Sequence, residues 1–144
     1  MCLLCSTVQH SCEFYILLEN YASRLHEKSH DQPVKHYCQT LELKSNQEFI
    51  EEYKFWHKPE NRWSEIPQGI KGVGILEMEL YLNETKLFII VETPLDFNWE
   101  EAFDKLAKLD RQAEWEDFMA KFQVTESGKS SAVKWHLMER IFCL

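Results

Sequence analysis

The stretch VGILEMELYLNETKLFIIVET, Val73 to Thr93, decides the fold. Its first half alternates, with Leu76, Met78, Leu80 and Leu82 on one side and Glu77, Glu79 and Tyr81 on the other. That is the period of a strand with one face on a core. Asn83, Glu84 and Thr85 read as a short turn, and Lys86 to Thr93 returns as a second strand, so the two form an antiparallel hairpin. The returning strand is apolar on both faces, Leu87, Ile89 and Val91 against Phe88 and Ile90. A strand buried on both sides needs a cover on each.

Outward from the hairpin, a helix lies on either side. Toward the N-terminus runs SNQEFIEEYKFWHKPENRW, Ser45 to Trp63, where Ser45 followed by Glu48 predicts a capping box and Pro59 sets the end. Phe49, Ile50, Tyr53, Trp56 and His57 fall on one side, and Glu51, Glu52 and Lys54 face water. Glu60 to Gly69 reads as a loop or short helical turn that brings Trp63 back over this helix. Toward the C-terminus, Pro94 ends the hairpin and Asn98 with Glu101 predicts another N-cap ahead of Trp99, Ala102, Phe103 and Leu106. The pattern resumes through Trp115, Phe118, Met119 and Phe122, which fits one long helix or two broken near Asp110. Val124 to Ser131 is a polar loop.

The outermost elements are strands. Lys35 to Leu43 puts Tyr37, Gln39, Leu41 and Leu43 on one face, and Lys134 to Leu144 alternates to the C-terminus. The order β-α-β-β-α-β predicts an α+β, ferredoxin-like unit, an antiparallel sheet with helices on one face. The other apolar face of the third strand then meets a second copy, so a homodimer is expected. Met1 to Pro33 holds three of the five cysteines and three of the six histidines, and is expected to be an N-terminal extension outside the fold at 34–144. Within it, Phe14, Leu17, Leu18, Tyr21 and Leu25 have helical spacing, and Cys2 and Cys5 form a CxxC at a bare terminus, a weak metal signal.

A net charge of −8 gives no basic surface for a phosphate backbone or an anionic bilayer, so neither nucleic acid nor membrane is expected as a partner. An odd number of cysteines without framework spacing suits a reducing cytoplasm.

Reaction chemistry concentrates at Tyr53 and His57, four residues apart, which puts a phenol and an imidazole one turn apart on one helix face. Spacing alone fits a hydrogen-bonded core histidine as well. With Tyr53, His57, the Trp63-Ser64-Glu65 run, Leu87-Phe88…Glu92, Trp115…Met119 and Arg140-Ile141-Phe142 in order, Lys35 to Leu144 resembles the L-rhamnose mutarotase family. The resemblance implies a dimeric α+β barrel that interconverts the anomers of a 6-deoxyhexose without cofactor or metal. It implies His57 as the proton donor and Tyr53, Trp63, Met78 and Trp115 as sugar contacts. Two positions depart from the family pattern: Met78 stands for a second sugar-contacting Tyr, and Glu116 for the second of two adjacent Trp. The ending Trp135 to Phe142 is similar to the branch linked to L-fucose. A histidine near neutral pKa suits a reaction that removes one proton and adds another. Because the fold hosts many functions, a cofactor-free monooxygenase of the same barrel type and a non-catalytic small-ligand module stand as alternatives.

Overall fold

The computed structural model describes residues 31–125, 129 and 131–144. The CxxC and the helical pattern expected before Pro33 lie outside the described residues. Gln32–Leu144 forms one compact unit. Its elements are β1 (Val34–Glu42), α1 (Gln47–His57), α2 (Glu65–Gly72), β2 (Glu77–Asn83), β3 (Lys86–Pro94), α3 (Trp99–Leu106), α4 (Gln112–Ala120), α5 (Ser131–Lys134) and β4 (His136–Leu137). The strands make one four-stranded sheet in the order β2-β3-β1-β4 with every pairing antiparallel, as the ferredoxin-like reading requires.

The hairpin forms where the alternation put it, with Met78 opposite Val91 and Asn83 opposite Lys86 across a turn in which Glu84 takes a left-handed backbone, φ 55°. Leu41, Leu87, Ile89 and Val91 are buried on the helix-facing side. The core there has two clusters. Tyr53, Leu43, Met119 and Phe122 build one, and Ile75, Ile89 and Val91 the other. Each such side chain taken from water contributes about 1.5–3 kcal/mol. On the opposite face Phe88, Ile90 and Cys38 stay half-buried.

Three local expectations are corrected. Asn46, not Ser45, caps α1, its side chain accepting from the backbone N–H of Glu48 at 2.9 Å and of Phe49 at 3.2 Å. Both residue types cap well, and the extended backbone at position 46 selects between them. The Glu60–Gly69 segment contains the start of α2, which leaves the second strand to begin at Glu77. Gly69 lets this helix come close, since an added Cβ would stand 3.0 Å from Leu109. The connection onward to β2 needs the positive φ of Gly74, 97°. Of the two arrangements that fit Trp99 to Phe122, the structure has the two helices, broken next to Asp110 where Arg111 turns left-handed, φ 60°. Asn98 caps the first as expected, accepting from the Glu101 N–H at 3.3 Å.

The third correction concerns the C-terminus. Pairing with β1 covers only His136 and Leu137, extended by the Met138 N–H to the Cys38 carbonyl at 2.8 Å. The helical turn of α5 takes up the start of the segment. Beyond Met138 the side chains bury themselves against none of the described residues, and Ile141 and Phe142 are 90% and 72% exposed.

Candidate active site

Between the inner sheet face and the helices lies a cavity of about 650 Å³. Its floor is apolar, from Met78, Leu80, Leu87, Ile89 and Val91 of the hairpin. Tyr53 and His57 reach it from the C-terminal half of α1, Trp115 and Glu116 from α4, and Lys134 and Trp135 from the end of α5 and the residue after it. Lys54, Lys58, Arg62 and Lys71 line its solvent side.

The i, i+4 spacing fixes the histidine. His57 Nδ1 lies 2.7 Å from the Tyr53 carbonyl oxygen, and because a carbonyl only accepts, Nδ1 carries the hydrogen. In the neutral ring Nε2 then holds a free lone pair and is the polar atom left to the cavity that His57 lines. Burial holds the imidazole below its ordinary pKa, and the bond to Tyr53 partly opposes this. The ring is therefore neutral at pH 7, the form that accepts a proton. Its face lies over Tyr53 at 4.2 Å between centroids, and Trp115 stands edge-on at 5.5 Å. Tyr53 is 3% exposed, and burial pushes its phenol far above the ordinary range, so it remains a hydrogen-bond donor.

Of the residues expected from sequence, the structure brings Tyr53, His57, Met78 and Trp115 to the cavity. Trp63 does not line it. The Trp63 ring packs behind Trp115 at 5.3 Å and stacks on Phe118 at 5.7 Å. Arg111 covers its other side, 4.0 Å from the ring centroid, and is itself held by Glu65 at 3.2 Å. Trp63 thus supports the wall that Trp115 presents.

The sequence reading missed the polar wall. Gln39, Gln112, Glu116, Gln123 and Lys134 all line the cavity. Lys134 Nζ donates to the Glu116 carbonyl at 3.0 Å and lies 3.6 Å from its carboxylate, both side chains being nearly inaccessible. Gln112 Nε2 donates to Glu116 Oε1 at 3.1 Å. One signal was legible: Gln39 is a polar residue on the inward face of β1, between Tyr37 and Leu41. The others depend on segments meeting in space. Among the described residues no group of three or more His, Cys, Asp or Glu is arranged to hold a metal, and no helix is long and apolar enough to cross a membrane.

An apolar floor, a polar wall and one base-competent imidazole together suit a small polyhydroxylated molecule whose protons are to be moved. Comparison with known proteins agrees. The family model for L-rhamnose mutarotase matches residues 36–144. The chain is 29% identical over 113 residues to the L-fucose mutarotase of Xanthomonas campestris, covering 74% of this chain and 86% of that one. It is 40% identical over 90 residues to a UPF0734 protein of Dictyostelium discoideum, covering 62% and 70%. The L-rhamnose mutarotase structure from Formosa agariphila has the same fold, with a TM-score of 0.56 at 21% identity over 76% of this chain and 98% of that one. The family match makes it a carbohydrate isomerase of the kind that interconverts anomers. The chain belongs to the L-rhamnose mutarotase family.

Proposed function

We propose that the protein equilibrates the α and β anomers of a 6-deoxyhexose with His57 as the acid/base. The observation that carries this is the anchored imidazole, its Nδ1–H on the Tyr53 carbonyl and its Nε2 left to a cavity. Nε2 takes the proton of the anomeric hydroxyl as the bond between C1 and the ring oxygen breaks, giving the open-chain aldehyde. The imidazolium returns that proton to the ring oxygen, C1 rotates, and the same steps in reverse close the ring on the other face. One proton is lost and one gained, so no oxidant or reductant enters. Tyr53 donates a hydrogen bond to the sugar, while Met78 and Trp115 supply apolar contact for its C–H faces and methyl group. Trp63 acts on the sugar through Trp115.

L-Rhamnose is the default substrate from the family match, and we expect L-fucose to be turned over at a comparable or higher rate. Met78 favours this breadth, since a thioether on the cavity floor pairs with no hydroxyl and an apolar contact discriminates weakly. Saturation-transfer NMR on the anomeric protons of each sugar at equilibrium tests the reading, because mutarotation has no net product. Absence of enhanced exchange for both sugars would refute it.

The working form is a homodimer built on the outer sheet face. Cys38 pairs with Ile90 and Thr40 with Phe88 across β1 and β3, leaving half-buried apolar side chains on the side the helices do not cover. A cytoplasmic setting is supported by Cys38 and Cys143, neither of which forms a disulfide among the described residues.

A further inference from the structure

Among the described residues, the side-chain oxygen of Gln123 is a buried polar atom of the cavity wall with no hydrogen-bond partner. Gln123 is 4% exposed and lines the cavity, yet its carbonyl oxygen Oε1 accepts no hydrogen bond among the described residues. Burying an amide oxygen forfeits its hydration, so an oxygen left in this state is set against a ligand or against stability. Its backbone is not free to carry it elsewhere. Gln123 bridges antiparallel to Leu43, with the Lys44 N–H on the Phe122 carbonyl and the Val124 N–H on the Glu42 carbonyl, each at 2.8 Å. Phe122 alongside is 0% exposed and anchors the turn in the core.

The other end of the amide bears on Tyr53. Gln123 opposes the upward push of burial on the Tyr53 phenol, the sign expected of a donor beside it, and the donor of an amide is its nitrogen. With the phenol oxygen accepting from Gln123, the phenol hydrogen points elsewhere, and Tyr53 borders the same cavity. A donor and an acceptor thus stand side by side. A secondary hydroxyl satisfies both at once: it accepts from the phenol and gives its own hydrogen to Oε1. That closes a ring of hydrogen bonds from amide N–H to phenol, to sugar hydroxyl, to amide oxygen, and such closed chains strengthen one another. An aldehyde, ether or methyl group in that position leaves Oε1 unpaired.

We propose that Gln123 is a specificity-determining residue, its Oε1 accepting from one ring hydroxyl of the sugar while its amide nitrogen sets the Tyr53 hydroxyl to donate to that same group. This rests on the anomer-exchange reading above. It puts stereochemical selection on the polar wall, since a hydroxyl that is missing or inverted at that carbon strands a buried acceptor, which a site rejects strongly.

The test measures anomer exchange for L-rhamnose, L-fucose and derivatives of the faster sugar lacking the hydroxyl at C2, C3 or C4 in turn. For the full chain, one derivative is expected to lose at least ~10-fold in kcat/KM and the others less than ~3-fold. In Gln123→Met the parent sugar is expected to fall to the level of that derivative, and the derivative to fall no further. Gln123→Asn, which keeps the amide but withdraws it by one methylene, repeats the measurement should the Met variant fold poorly. Equal rates for all derivatives with the unaltered chain would overturn the proposal, as would a Gln123 variant that slows every sugar by the same factor. No exchange of any sugar by the unaltered chain would instead remove the mutarotase reading, and the proposal with it.

Discussion

Replacing His57 by Ala tests the chemistry most directly. The change removes the Nδ1 hydrogen bond to Tyr53, worth about 1 kcal/mol, and a half-buried ring against Trp115, worth about 1–2 kcal/mol more. Against a domain stability of about 5–15 kcal/mol the variant should stay folded. Positioned acid–base help amounts to about 10²–10⁴-fold, or about 2.7–5.4 kcal/mol of barrier, so the exchange rate should fall by that factor. Thermal melting of the variant separates this loss from unfolding. The pH profile gives a second readout. Nε2 must be unprotonated to act, and burial lowers the His57 pKa, so the rate should hold level down through the ordinary imidazole value of about 6.5 and fall only at lower pH. The same shift makes the unfolded chain bind a proton before the folded one does, so stability too should decline as pH drops below about 6.5 and level off beneath the folded-state pKa. A His57→Ala enzyme within about 3-fold of the unaltered rate would refute this reasoning, because no partial contribution to acid–base catalysis would be that small.

Lys134→Met leaves the Glu116 carboxylate inaccessible and without its cation, and should cost about 3–5 kcal/mol in urea unfolding, much of it recovered by adding Glu116→Gln. A loss below about 1 kcal/mol would mean that water already solvates the pair. A chain beginning at Val34 should keep the thermal midpoint and the exchange rate of the full chain, and its failure to fold would move the domain boundary upstream. Sedimentation at micromolar concentration should give a mass near twice 17.3 kDa, with Ile90→Glu shifting it toward the monomer. A monomeric unaltered chain would leave the outer sheet face without its proposed cover.

What the sequence determined by itself was whatever a local period carries. Leu76 to Leu82 alternates because its side chains face by turns the core and the other side of one sheet, and the hairpin followed from that and from the apolar run that returns after the turn. Tyr53 and His57 were legible as a pair because four residues make one helical turn, and even the bond between the imidazole and the Tyr53 carbonyl is an i, i+4 contact. The tertiary structure decided everything that depends on a distant surface. The alternation from Trp135 to Phe142 matched that of a true strand, yet the chain leaves the sheet after Leu137 because a strand needs a neighbour as well as a pattern. Trp63 and Trp115 were equivalent aromatics in the sequence, and only packing set one behind the other. The polar wall was out of reach for the same reason. Gln39, Glu116, Gln123 and Lys134 come from β1, α4, the turn after α4 and α5, so no window of sequence contains them together. Each alone is an ordinary polar residue, and burial beside the others is what gives it a chemical role.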